Sequence, residues 1–277
     1  MDASQLTFGI EIETHIPLGR VRVGSYRVGA PVAELPPGWK AKFDCSIHAP
    51  AGRQGCEFVS PVLRGADGIR QVCEVLETLR DVIGAKVNAS TGLHVHVGWV
   101  GDDKALSRLV TLVANYERAI YASTGTKRRE RGRWCGSIHA HGEAARAEAS
   151  AKRNRYHALN LANLRPGGKQ TVEFRAFAGS TNTTKVIGYI RLCLGMVERA
   201  IKARRVTKWT AKRPAATSPM RRGGEGQTDL TRMMYQLGWT HGHTDYTYGD
   251  FAAAGAPDLK AIKAEFVRLA KKYDHGD

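Results

Sequence analysis

An α+β fold is what this sequence predicts, and two observations carry the prediction. Several short runs alternate apolar with charged or small residues at a period of two, the pattern of strands with one buried face. Between them lie longer runs whose apolar residues recur at helical spacing. The 277 residues, 42% of them hydrophobic, suffice for one large domain, alone or with a small appendage.

The first strand reads Leu6 to Thr14. Phe8, Ile10 and Ile12 alternate there with Gly9, Glu11 and Glu13, so one face is apolar and the other carries two carboxylates. A Gly- and Pro-rich connection over 17–38 leads to two further strand-like runs, Lys42–Ile47 and Gly55–Leu63. Over 66–83, Ile69, Val72, Val75, Leu76, Leu79, Val82 and Ile83 share one helical face. Leu93–Trp99 alternates again, with Leu93, Val95 and Val97 set against His94, His96 and Gly98. Asp102 and Asp103 then stand where a helix through about Ser123 would be capped.

Residues 125–152 are rich in Arg, Gly and Ala with weak periodicity, which predicts a long loop or a lid. Strand-like runs at Tyr156–Leu161 and Thr171–Phe177 and a helix over Lys185–Ala203 complete the body of the protein, 1–203. The stretch 204–226, with Pro214, Pro219 and several glycines, predicts an exposed basic linker. Pro257 opens a last helix with Leu259, Ile262, Phe266 and Leu269 on one face, so 227–277 is expected to be a helical accessory segment.

The formal charge is +16, and nearly all of the excess falls in 127–155 and 199–222. Such a field attracts polyanions, with nucleotides, nucleic acid and acidic polymers equally eligible. Five cysteines, Cys45, Cys56, Cys73, Cys135 and Cys193, form no C-x-x-C pair, which argues for reduced, mostly buried thiols rather than a disulfide framework or a zinc knuckle. No apolar run has the length of a membrane span, and the opening residues lack the pattern of a signal peptide. A soluble, cytoplasmic protein is expected.

Chemistry concentrates where ionisable residues stand two apart on strands: Glu11 with Glu13, His94 with His96, and Glu173 with Arg175. One such pair is usually a solvated strand face. Three together, each backed by apolar residues, indicate a constructed site. Hard divalent cations prefer carboxylate oxygens and accept a histidine, so this inventory points to magnesium or manganese rather than zinc.

Read in order, FGIEIE at 8–13, Asp44 ahead of GCEFVSPVL at 55–63, STGLHVHVG at 90–98, RYHALNL at 155–161 and TVEFRAF at 171–177 resemble the amidoligase family. That family lies within the superfamily of glutamine synthetase and glutamate-cysteine ligase, and 204–277 falls outside the resemblance. The resemblance implies a glutamine-synthetase-like domain, a curved and largely antiparallel sheet with helices packed on one face. It implies an ATP- and magnesium-dependent carboxylate-amine ligase that makes an amide or isopeptide bond through an acyl phosphate. By the same resemblance Glu13, Glu57 and Asp44 hold one metal, and Glu11, His94 and Glu173 the other. His96 lies near the nucleotide phosphates, Arg175 against the transferred phosphoryl group, and Arg155 serves as a second phosphate clamp. The acid and amine substrates, small, peptidic or polymeric, are not specified, nor is the oligomeric state.

A different class remains open from charge alone: a nucleic-acid-binding protein, a metal-dependent nuclease, or a ligase whose substrate is a nucleic acid or acidic polymer. The arginines Arg128, Arg129, Arg131 and Arg133 fit a phosphate-gripping lid or a solvated loop. Trp209, Trp239, Tyr246 and Tyr248 could stack on bases or pack down the C-terminal helix. His139, His141, His241 and His243 read as surface histidines.

Overall fold

The computed structural model describes residues 3–204, 208–209, 228–239 and 255–275. Of the linker expected at 204–226, only Arg204, Lys208 and Trp209 are among them. The remainder of that expectation, with His241, His243, Tyr246 and Tyr248, lies outside the described residues.

Among the described residues eight strands form one sheet: β1 (Thr7–Pro17), β2 (Ala30–Pro31), β3 (Lys40–Lys42), β4 (Arg53–Val59), β5 (Leu63–Arg64), β6 (Gly92–Gly98), β7 (Leu159–Asn160) and β8 (Thr171–Ala178). Their spatial order is β2-β3-β4-β1-β6-β8-β7, with β5 paired to the start of β1, and every ladder is antiparallel. The helices are α1 (Gly65–Glu77), α2 (Asp103–Ala122), α3 (Arg128–Arg131), α4 (Ala144–Arg153), α5 (Thr183–Lys202), α6 (Asp229–Gln236) and α7 (Leu259–His275).

The alternation read from the sequence divides the two faces of the sheet. Ile10 and Ile12 on β1, Val95 and Val97 on β6, and Val172 and Phe174 on β8 enter a core shared with α1, α2 and α5. Burying each such side chain contributes about 1.5–3 kcal/mol, so this face is what fixes the register of the sheet. The opposite face carries the charged pairs. Asp102 caps α2, its carboxylate accepting from the Ala105 N–H at 2.7 Å, as its position in the sequence predicts.

The C-terminal helices belong to the same core. Phe177 stacks on Tyr189 of α5 at 4.3 Å between ring centroids, Tyr189 on Phe266 of α7 at 5.7 Å, and Trp239 lies 6.0 Å from Phe266. The hydroxyl of Tyr273 donates to Glu130 of α3. Trp239 thus takes the packing role rather than the base-stacking one.

Four local expectations change. The strand expected at Lys42–Ile47 sits at Lys40–Lys42, because Asp44 turns the chain: its carboxylate accepts from the Ser46 N–H at 2.7 Å and its carbonyl from the Ile47 N–H. The helix expected to 83 passes through a π-turn at Thr78–Val82, where the Ile83 N–H reaches back to the Thr78 carbonyl, and this rotates Val82 out of the apolar face to 53% exposure. Within 125–152 the ten-residue α4 forms on the buried stripe of Ala147 and Ala151. Alanine contributes little to an apolar pattern, which is why the stripe was not visible. His139, expected at the surface, is buried and stacked on Trp209 at 5.3 Å.

Candidate functional site

Strand register brings the three charged pairs together. Glu11 stands opposite His94 across β1–β6, His96 opposite Glu173 across β6–β8, and Glu13 opposite Glu57 across β1–β4. On β8 one extra residue is accommodated as a β-bulge, which sets Arg175 and Ala176 against His94. Alternation keeps Arg175 on the face of Glu173, and the bulge after it returns Phe177 to the core face beside Phe174.

All nine residues singled out in the sequence line one cavity of about 700 Å³: Glu11, Glu13, Asp44, Glu57, His94, His96, Arg155, Glu173 and Arg175. Three sets of ligand atoms converge within 4.8 Å of one another: Glu13, Asp44 and Glu57; Glu11, His96 and Glu173; and Glu11, Glu57 and His94. The first set is the one the resemblance implies. In the second, His96 stands where His94 was expected, because β6–β8 pairing puts His96 directly opposite Glu173. His94 lies between the sets, with Nδ1 at 3.2 Å from Glu11 and 3.7 Å from Glu173, and Nε2 at 3.6 Å from Glu13. Both histidines are therefore within ligand reach.

The electrostatics of the two sides differ. Burial, followed by the charges on Glu11 and Glu13, pushes the Glu57 carboxyl up to about 9. Burial also pushes Glu11 upward, yet the charge on His96 and the hydrogen bond with His94 outweigh it and hold Glu11 well below the usual carboxylate range. Glu173 is likewise lowered against its burial by His96, Arg175 and His94. Burial opposes the charge on His96, but Glu11 and Glu173 raise its basicity above the ordinary value. The Glu11–Glu173 side thus supplies enough countercharge of its own, whereas at Glu57 the charge of Lys42 does not offset burial and the neighbouring acids.

Glu173 is fixed from both oxygens: Arg175 Nη1 donates to one at 2.5 Å and Asn160 Nδ2 to the other at 2.6 Å. Arg129 Nη2 donates to the Arg175 carbonyl at 2.6 Å, and Glu13 accepts from the Gly92 N–H at 2.6 Å. A side chain at position 92 would start only 3.0 Å from the Arg129 guanidinium, so a larger residue there would press on this approach. Arg155 reaches the Tyr26 hydroxyl at 3.2 Å across the cavity mouth.

Two participants were missed. Arg129 had been placed in an open loop or lid but is buried beneath the site, and only its density of neighbouring arginines marked it. Asn160 lies within RYHALNL, where an amide among apolar residues was the available signal.

The donor sets fit hard divalent cations. The first is all carboxylate, the second two carboxylates and one imidazole. Nε2 of His96 is buried without a hydrogen-bond partner and lies 3.2 Å from Glu11 and 3.8 Å from Glu173, an arrangement that a cation between them satisfies.

A second cavity of about 740 Å³ adjoins the first, sharing Glu11, Arg27, Lys42, His96 and Lys169 with it. Its walls are largely apolar, and Val28, Val62 and Val100 line it while 67%, 79% and 58% exposed. Surface valines left open to water in this concentration mark a binding surface.

No curated protein matches the chain in sequence. Among the solved structures similar to it are the complex between the prokaryotic ubiquitin-like protein Pup and its ligase PafA, and a GmaS/ADP complex. The first is 11% identical with a TM-score of 0.46 over all of this chain and 66% of that one. The second is 10% identical with a TM-score of 0.44 over 99% of this chain and 71% of that one. The chain thus spans just under two thirds of the length of the first. The family described as "Putative amidoligase enzyme" matches residues 4–152 and 141–197, which include every side chain of the acidic sets. That match covers well over half of the sequence, and the chain belongs to this amidoligase family.

Proposed function

We propose that the protein is an ATP- and magnesium-dependent carboxylate-amine ligase, with manganese able to replace magnesium. The observation that carries the proposal is the pairing of an acid-floored, arginine-walled cavity with an apolar cavity that opens into it. The apolar cavity suits a nucleoside, and the junction between the two suits its phosphates.

Glu13, Asp44 and Glu57 would hold one cation, and Glu11, Glu173 and the histidines the other. When bound they neutralise phosphate charge. A carboxylate is a poor acyl donor, so its oxygen first attacks the γ-phosphorus and ADP departs, leaving an acyl phosphate. The amine nitrogen then attacks the acyl carbon, phosphate leaves, and the nitrogen gives up a proton. Arg175 and Arg155 supply fixed countercharge for the phosphoryl group, and guanidinium planes match its oxygens. Glu173 keeps the Arg175 guanidinium oriented while facing the cations. The reduced cysteines fit work in a reducing compartment such as the cytoplasm.

The test is formation of ADP and phosphate with a panel of amino acids, dicarboxylates and acidic peptides, using hydroxylamine as a trapping amine. The expected result is ATP consumption that requires both cation and carboxylate, with one hydroxamate per ADP. ATP hydrolysis indifferent to every carboxylate, without hydroxamate, contradicts the proposal.

A further inference from the structure

Gln170 is the one non-glycine residue with positive φ among the described residues, at +52°. A left-handed backbone at such a residue persists only where its surroundings over-determine it. They do so here: its N–H donates to the Asn163 carbonyl at 3.0 Å, its side-chain amide to the Arg165 carbonyl at 3.1 Å, and its own carbonyl accepts from the Trp99 N–H at 2.9 Å. Gly168 closes the same turn, and a Cβ there would lie 2.3 Å from the Asn163 carbonyl oxygen. The turn is thus built rigidly and tied to Trp99, a wall of the apolar cavity.

What the turn presents is Lys169. Its side chain lines both cavities, and among the described residues it forms no ion pair. Arg27 and Lys42 also border both cavities, but Lys42 stands opposite Glu57 in the β3–β4 ladder. Lys169 is thus a cation without an ion pair among the described residues, and unlike Arg27 it is carried by a turn held through the Asn163, Arg165 and Trp99 backbones.

We infer that Lys169, held by the Gln170 turn, is a phosphate-binding residue that grips the polyphosphate of a nucleoside triphosphate where it passes from the apolar cavity to the acidic one. The inference rests on the ligase reading. An ammonium with three donors and no protein partner suits phosphate oxygens, and a phosphate chain joining the two cavities passes the place it occupies.

The experiment is calorimetric titration of the full chain with magnesium-ATP and separately with adenosine, for wild type, Lys169→Met, Lys169→Arg and Gln170→Val, with thermal unfolding as the check on folding. Lys169→Met is expected to weaken ATP by about 10- to 100-fold, the usual loss for a charged hydrogen bond, and to leave adenosine unchanged. Lys169→Arg should recover most of the loss. Gln170→Val, a branched residue at positive φ, should weaken ATP while the lysine is intact. ATP affinity of a folded Lys169→Met protein indistinguishable from wild type, or an equal loss toward adenosine, overturns the inference and leaves the ligase reading standing. A wild-type protein that binds neither ATP nor adenosine removes both.

Discussion

Glu13 and Glu57 face each other across the β1–β4 ladder, both buried, with an oxygen of Asp44 within 4.8 Å of theirs. Two carboxylate charges at that separation repel by about 3–4 kcal/mol even at an effective dielectric near 20. The metal-free protein answers by keeping Glu57 protonated to about pH 9. The unfolded chain gives up the same proton near the ordinary value of 4.5. Between those limits the folded state binds the extra proton, so the stability of the metal-free protein should fall as pH rises through the window. Manganese requires the ionised carboxylate, so the increase in melting temperature that it produces should grow with pH. Glu57→Gln should flatten the metal-free slope and remove most of the manganese effect, as read by thermal unfolding in chelator and in added metal. A pH-independent manganese effect would separate Glu57 from metal binding.

Arg175→Ala removes a fixed countercharge from the cavity and should lower turnover by about 10²–10³-fold, by analogy with the loss of an oxyanion donor. Lysine at this position should rescue poorly, since it lacks the planar fork that meets Glu173. Steady-state rates of folded variants decide it, and wild-type turnover in Arg175→Ala would show that the guanidinium only braces Glu173.

Asn160→Ala should weaken magnesium binding by about 10- to 100-fold, because groups that orient a ligand act on the metal through it. The change removes the donor to Glu173 and also the acceptor for the Ala162 N–H, so some stability should be lost too. A positioning role shows as a higher magnesium concentration for half-maximal rate, with activity partly restored by excess metal. A lower melting temperature with no change in metal dependence would mean that the residue only closes its turn.

Phe266→Ala should destabilise the protein by about 3–5 kcal/mol in denaturant unfolding, as expected for an aromatic ring removed from a packed interior. The ring stacks on Tyr189 and lies beside Trp239, so α7 is joined to α5 rather than appended to it. A loss confined to the C-terminal segment, with the sheet unaffected, would contradict that joining.

The sheet was legible in the sequence because its strands alternate so strictly: Phe8, Ile10 and Ile12 against Glu11 and Glu13 settle which face is buried. Helices α2 and α5 were legible for the same reason, their apolar residues being large. What stayed hidden depends on long-range pairing or on small side chains. The bulge at Arg175 and Ala176, which returns Phe177 to the core, comes from β6–β8 pairing, which no local pattern encodes. Helix α4 buries only alanines, and Arg129 reaches the Arg175 carbonyl across 46 residues. That His96 stands beside Glu173 along with His94 has the same origin, since alternation puts both imidazoles on one face and only strand pairing brings Glu173 within 3.7–3.8 Å of each.

The central claim is that this face of the sheet holds two divalent cations beside a nucleotide, and anomalous diffraction from crystals grown with manganese and a non-hydrolysable ATP analogue tests it most directly. The account predicts one manganese peak among Glu13, Asp44 and Glu57 and a second between Glu11 and Glu173 with a histidine, the analogue's phosphates adjoining both and its base in the apolar cavity. Ordered nucleotide elsewhere, or manganese absent from both acidic sets, would contradict it.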